Sequence, residues 1–270
     1  GKACSPMAIN FVYDTYVMPK AIARALVAEG KDTWFFITVD YAFGAAMENA
    51  ATQFVREAGG KVLGSVKHPL GTTDFASQLL AAQASGAKVV AFANAGADFS
   101  NVLKQAGEFG LAKRGQVLAS TGTTINTIVA VGLEAAQGMQ FTVPFYWDMD
   151  EETRAWSRKF MARFNNKAPT FLQSGAYSAV WHYLNAVKAA GTAEGEAVMA
   201  KMKATPINDF QMKNVPIRAD GHVLRPMFLA QVKAPADSKE PYDVYRITAK
   251  VAPETVWRTV KEAGCPFAQN

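Results

Sequence analysis

Five apolar, β-rich runs recur along the first half of the chain, each followed by a stretch of helical periodicity, and this alternation restricts the fold more than any other feature. "WFFITV" (34–39) precedes "GAAMENAATQFVREAGG", whose residues Met47, Ala51, Phe54, Val55 and Ala58 fall on one helical face over 44–58. "KVLGSVKHP" (61–69) precedes "TDFASQLLAAQASG", and "KVVAFAN" (88–94) precedes "GADFSNVLKQAGEFG". "QVLAST" (116–121) precedes "INTIVAVGLEAAQG", and "MQFTVP" (139–144) closes the series. Repeated βα units predict an α/β fold with a parallel sheet covered by helices on both faces. In such sheets ligands bind at the carboxyl ends of the strands. Asp40, Tyr41 and Phe43, on the turn after the first strand, therefore either cap the sheet or face a ligand.

After Pro144 the pattern changes. Acids open an amphipathic helix over 150–164, "TFLQSGAYSAVWHYLNAVKAAG" forms a second, and "AEGEAVMAKMKATP" a third. The second carries an apolar stripe of Tyr177, Val180, Trp181, Leu184 and Val187; Met199 and Met202 read as gap-filling core. The tail segments "DGHVLRPMFLAQVK" and "PYDVYRITAKVAP" read as extended, with "RADGH" as a turn. Helices over 150–203 thus have apolar faces but few strands to cover, which suggests that N-terminal structure is missing from this sequence.

With 270 residues, half of them hydrophobic, the chain can bury a large core in one or two domains. No apolar run reaches the ~18–20 residues of a membrane span. No basic segment followed by an apolar one opens the chain, so a soluble, processed or truncated product is expected. The net charge of +5 is scattered among acids, and no basic stripe with interleaved aromatics points to nucleic acid. His68, His182 and His222 show no ligand spacing, so no metal is expected; His68 and His182 read as surface or helix-face residues. Cys4 and Cys265 are either independent thiols or one bridge. Turn residues flank both, and their parity and end-to-end placement make a Cys4–Cys265 disulfide the expectation in an oxidising compartment.

As a set, "GKACSP", "NFVYDTY", "DYAFG", "DFASQLLAAQASGAKVVAFANAGADFSNVLKQAGEFGL", "PFYWDMDEETRAWSRKFMARF", "PTFLQSGAYSAVWHYLNAVKAAGT", "IRADGH" and "PYDVYRIT" resemble the extracellular solute-binding proteins of ABC transporters. The likeness is to the branched-chain amino-acid type among type I periplasmic binding proteins, and within it to a proteobacterial branch associated with aromatic-acid uptake. It implies two doubly wound parallel-sheet lobes, joined by a three-segment hinge, that close on a ligand. By this resemblance residues 1–16 are the remainder of lobe one and the first hinge segment. Residues 17–144 are lobe two, and 145–270 return to lobe one, the C-terminal segment completing the hinge and lobes. Much of lobe one would be missing, leaving room for an N-terminal fragment or a second copy.

The same resemblance places Tyr41 at the cleft with Phe43 as its stacking partner. Asn94 and Ala95, in a run of small residues, leave room where amino-acid binders carry bulk. Thr121 stands where those binders place an acid for the ligand's ammonium group. Tyr13 and Thr15 are either donors to a carboxylate or hinge packing. Phe145 and Tyr146 either wall the cleft or wedge the hinge, with Trp147 assigned to the hinge. Gln173, at a helix start, could reach the ligand; Tyr177 reads as core.

The implied function is a periplasmic component, not an enzyme, that captures a benzoate- or cinnamate-like carboxylate and delivers it to an inner-membrane ABC permease without a cofactor. A branched-chain or other amino acid is the alternative ligand, and an amide- or organic-acid-sensing regulator the alternative role. A signal peptide upstream of Gly1 would separate transport from cytoplasmic sensing. No GxGxxG after a strand, P-loop, GxSxG or His-centred triad supports an enzyme.

Overall fold

The structure, a computed structural model, describes residues 3–268. They form two compact units. The sheet unit comprises Asp14–Val143 and Met227–Val251; the helical unit comprises the described parts of Gly1–Tyr13, Pro144–Pro226 and Ala252–Asn270. The chain passes between them after Tyr13, Val143, Pro226 and Val251, four passages where the resemblance implied three hinge segments.

In the sheet unit the order is α1 (Val17–Ala28), β1 (Thr33–Val39), α2 (Ala42–Glu57), β2 (Lys61–His68), α3 (Ala76–Ala84), β3 (Val89–Ala93), α4 (Gly96–Glu108), β4 (Val117–Ser120), α5 (Ile125–Val131), α6 (Leu133–Ala136), β5 (Gln140–Val143), β6 (Met227–Val232) and β7 (Tyr245–Val251). The stretch 125–138 reads as one helix but breaks at Gly132, whose φ of 90° lies in the left-handed region. The sheet runs β2-β1-β3-β4-β5-β6-β7. The first five strands are parallel, with Trp34 opposite Val89 and Phe92 opposite Ser120. Strands β6 and β7 add antiparallel, Val143 opposite Phe228 and Leu229 opposite Ala249. Residues 227–251 therefore belong with the sheet rather than with the remainder of 145–270. The reason is that the apolar run "MFLAQV" finds an open hydrogen-bonding edge on β5.

Beneath the sheet lies a core of Ile22, Leu26, Trp34, Phe36, Phe54, Val55 and Val89, with Tyr16 edge-on to Phe54 at 4.7 Å. The β6–β7 connection is fastened by Asp243, which pairs with Lys233 Nζ and accepts from the Lys239 N–H at 3.0 Å. Burial opposes its charge, but the Lys233 hydrogen bond and the Lys239 amide outweigh it and hold the carboxyl below its usual range. A carboxyl lowered on folding stabilises above its unfolded pKa, and this stabilisation is lost as pH falls through the folded value. Asp243→Asn should therefore cost about 1.5–3 kcal/mol at pH 7. Its melting deficit against the wild type should close below about pH 4. A deficit that persists unchanged at pH 3 would show that the ion pair is not its source.

The helical unit contains α7 (Glu151–Arg163), α8 (Phe171–Ala190), α9 (Gly195–Ala204), α10 (Pro253–Val256) and α11 (Val260–Ala263). Asp150 caps α7, accepting from Thr153 N at 2.8 Å while Thr153 Oγ1 accepts from Asp150 N at 2.9 Å. Phe11, Met202, Ile207, Met212, Ile217 and Val223 form its core, and Met199 is half-buried. The segment of Asn10 runs beside His222, with Asn10 N donating to Gly221 O at 2.8 Å and Val223 N to Asn10 O at 3.1 Å. Cys4 and Cys265 are bridged, their Cα atoms 5.6 Å apart, within the range a disulfide spans.

Helix α8 reverses the expected orientation. Its buried residues include Ser174, Gly175, Ser178 and His182, whereas Tyr177, Val180, Trp181 and Leu184 are exposed. Tyr177 is thus not the core residue its stripe suggested. Small side chains let α8 sit close to its neighbours: a Cβ at Gly175 would lie 2.7 Å from Val12 Cγ2.

Candidate functional site

The order β2-β1-β3-β4-β5 reverses direction between β1 and β3, which makes the carboxyl ends of those two strands the place where an α/β sheet opens a crevice. At the end of β1, Tyr41 is extended (φ −153°, ψ 178°) and heads α2; its N–H donates to Val39 O at 2.9 Å. The Tyr41 ring is 41% exposed and stacks on Phe43, centroids 6.0 Å apart at 26°. Gly44 permits this turn. A Cβ there would lie 2.1 Å from Val39 O and 3.1 Å from Ala93 O, so only glycine lets α2 begin against the ends of both strands.

At the end of β3, Asn94 turns inward and is 1% exposed. Its Nδ2 donates to His68 Nε2 at 2.9 Å, and His68 Nδ1 lies 2.9 Å from Pro69 O, an arrangement that assigns the ring proton to Nδ1. His68 is buried edge-on to Phe75 at 4.8 Å rather than at the surface, because Asn94 and Pro69 satisfy both ring nitrogens. His182 is also buried, its Nε2 2.9 Å from Met202 O. Asn94 Oδ1 is enclosed and lacks a partner among the described residues. The exposed part of this turn is Ala95 and Gly96, which start α4. Asp98, in the first turn of α4, binds Gly71 N through both oxygens at 3.1 and 3.2 Å and so fixes the neighbouring loop.

At the end of β4, Thr121 is buried and its hydroxyl donates to Phe92 O at 3.0 Å. The hydroxyl hydrogen of Thr121 is thus committed to the sheet. Gly122 packs near Met47 Cε and Met18 Cε, and Thr123 Oγ1 is buried without a partner among the described residues.

The helices beginning at this rim share one property. Neither α2 nor α4 has a side-chain N-cap hydrogen bond, as is also true of the N-cap residues of α1, α3, α5, α6 and α10, whereas Asp150, Thr170, Glu194 and Thr259 cap α7, α8, α9 and α11. Two helices of 16 and 13 residues therefore direct uncapped N–H groups and the positive ends of their dipoles to adjacent strand ends. Such an edge suits an anionic group, while the Tyr41–Phe43 pair suits a planar apolar one.

The other expected site residues have different contacts. Tyr13 lies in the helical unit, edge-on to Phe171 at 5.2 Å, and burial raises its phenol pKa. Thr15 is half-buried in the turn where Asp14 Oδ1 accepts from Tyr16 N and Val17 N. Phe145 is 1% exposed among the rings of Trp156 and Phe210, and Tyr146 is buried beside Trp147. Gln173 Oε1 accepts from Thr170 N at 2.9 Å and completes the cap of α8. Gly44 has no role in the sequence expectations, and His68, expected at the surface, is buried behind the rim. A glycine directly after an aromatic at a helix start is a readable signal for the first; His68 is a polar residue beside a proline. Among the described residues no cluster of His, Cys, Asp and Glu could hold a metal ion, and no helix is long and apolar enough to cross a membrane.

Comparison with known proteins places the chain in a family. Residues 1–239 match the periplasmic binding protein family, and the chain belongs to that family. A Leu/Ile/Val-binding protein homolog from Brucella abortus is 28% identical over 192 residues, 69% of this chain and 49% of the relative. The chain thus spans about half the length of the curated relatives it matches. A periplasmic binding protein from Burkholderia mallei is 42% identical with a TM-score of 0.91, over 98% of this chain and 70% of that one. A branched chain amino acid ABC transporter periplasmic ligand-binding protein from Burkholderia xenovorans is 34% identical with a TM-score of 0.92, over 100% and 72%. A solute-binding protein from R. palustris in complex with benzoate shares the fold at 17% identity, with a TM-score of 0.81 over 97% and 69%.

Proposed function

We propose that this chain is the solute-binding component of an ABC transporter, working in the periplasm without catalysis or cofactor and delivering a small aromatic carboxylate to an inner-membrane permease. The observation that carries the ligand class is the rim after β1, β3 and β4. It pairs the exposed Tyr41–Phe43 stack with two uncapped helix starts and has a threonine, Thr121, at the third strand end. A carboxylate gains hydrogen bonds from backbone N–H groups there, and a ring gains about 0.5–1.5 kcal/mol from stacking beyond its area burial. An α-ammonium group would find no acid at Thr121, and an unpaired buried charge is costly. The benzoate complex of the R. palustris protein supports this class. A branched-chain amino acid is the second reading, favoured by the names of the Brucella abortus and Burkholderia xenovorans proteins. Tyr13, Thr15, Phe145, Tyr146 and Gln173 remain our assignment as further ligand-binding residues. The exposed apolar face of α8 is assigned to packing against further lobe-one structure.

A melting screen tests the ligand class. Benzoate and cinnamate should stabilise the protein by about 2.7 kcal/mol at a hundredfold excess over Kd, and Tyr41→Ala should abolish the shift. Shifts with leucine and none with the aromatic acids would reject the aromatic reading. An undiminished response in Tyr41→Ala would remove that residue from the site.

A further inference from the structure

Arg225 is 2% exposed, yet the groups it binds are chain carbonyls and an amide. Its Nη2 donates to Pro144 O at 2.6 Å and to Gln211 Oε1 at 2.8 Å, and its Nη1 to Phe11 O at 3.4 Å. Its own carbonyl accepts from Trp257 Nε1 at 2.8 Å. Phe11 lies just before the passage after Tyr13, Pro144 begins the segment after Val143, Arg225 precedes the passage after Pro226, and Trp257 follows the passage after Val251. One residue thus fastens, within the helical unit, the chain on its way through all four passages.

We propose that Arg225 is a positioning residue that gathers these passages into one fastening, so that they loosen together or not at all. The contacts favour this over ordinary packing. A planar guanidinium with several donors reaches segments 214 and 81 residues away in sequence, which a single-point donor or an apolar side chain cannot do. Its Nε is buried without a partner among the described residues, and burying a charge without full satisfaction is unfavourable. An apolar residue would fill the same space more cheaply but would leave the three acceptors separate. Burial pulls the Arg225 pKa down to about 10, with Asp209 opposing the fall, so the fork stays charged at neutral pH.

Hydrogen exchange on the full chain, read by mass spectrometry, tests the fastening. In Arg225→Met, amides in 10–13, 145–147 and 223–225 should exchange at least about tenfold faster as a group, while β1 and β3 stay unchanged. Arg225→Lys, which keeps the charge and a donor, should recover part of that protection. Acceleration of one stretch alone, an equal acceleration across β1 and β3, or no recovery with lysine would overturn the proposal. Should the methionine variant fail to fold, Trp257→Phe decides with Arg225→Lys. It releases the Arg225 carbonyl, and faster exchange in 223–225 and 253–257 with an unchanged sheet is expected. Unchanged exchange there in both variants would overturn the fastening.

Discussion

Gly44→Ala should cost the sheet unit about 3 kcal/mol or more, even though alanine is the better helix former by about 1 kcal/mol. The new methyl would lie 2.1 Å from Val39 O and 2.9 Å from Val39 Cγ1, and the backbone oxygen cannot rotate away. Relief requires the start of α2 to back off the ends of β1 and β3, which moves Tyr41 and Phe43 with it. For a unit of this size the midpoint should fall by about 6–12 °C, and the response to benzoate should weaken as well. The reverse exchange one residue on, Ala45→Gly, should cost only about 1 kcal/mol, because it lowers helix propensity and removes a half-buried methyl without creating a clash. Equal effects of the two substitutions in thermal unfolding would show that close approach is not what Gly44 provides.

Removing the Cys4–Cys265 bridge by Cys4→Ala with Cys265→Ala should be comparably severe. The bond joins residues 261 apart, and closing so long a loop is worth about 5.5 kcal/mol in the chain-entropy account. Both cysteines belong to the helical unit, which is assembled from three separate stretches of chain. The loss should therefore fall there, with α8 and α9 losing protection before β1 and β3. Reduction of the unaltered protein should reproduce the change. A double variant as stable as its parent in urea would mean that the native contacts between those stretches already hold them without the covalent link.

The five parallel strands were legible because continuous apolar runs such as "WFFITV" and "KVVAFAN" suit only a doubly covered sheet. The tail strands were legible as extended, but not their partner, since pairing to β5 depends on an edge that local sequence does not mark. Helix α8 was legible as a helix and its apolar stripe was read correctly, yet burial went to the opposite face. Ser174, Gly175 and Ser178 are small enough for close approach to Val12 and Gln211, and periodicity counts hydrophobicity rather than available space. At the rim, Tyr41 and Phe43 could be placed because they follow a buried strand directly. Asn94 could not be placed, because its inward turn depends on His68 from another strand. Arg225 gave no local sign of its distant acceptors.

The two outermost strands also bear on how copies of this protein behave when crowded. Among the described residues each presents an unpaired hydrogen-bonding edge on which another strand could add. If β7 met β7 of a second copy antiparallel about Thr248, Arg246 of each would stand opposite Lys250 of the other. For β2 centred on Gly64, Lys61 would stand opposite Lys67. Opposed residues in such a ladder bring their Cβ atoms to about 4.5–5.5 Å, where like charges repel. These symmetric registers, which would otherwise let sheets join end to end into aggregates, are therefore disfavoured by the same basic residues that mark the edges as exposed.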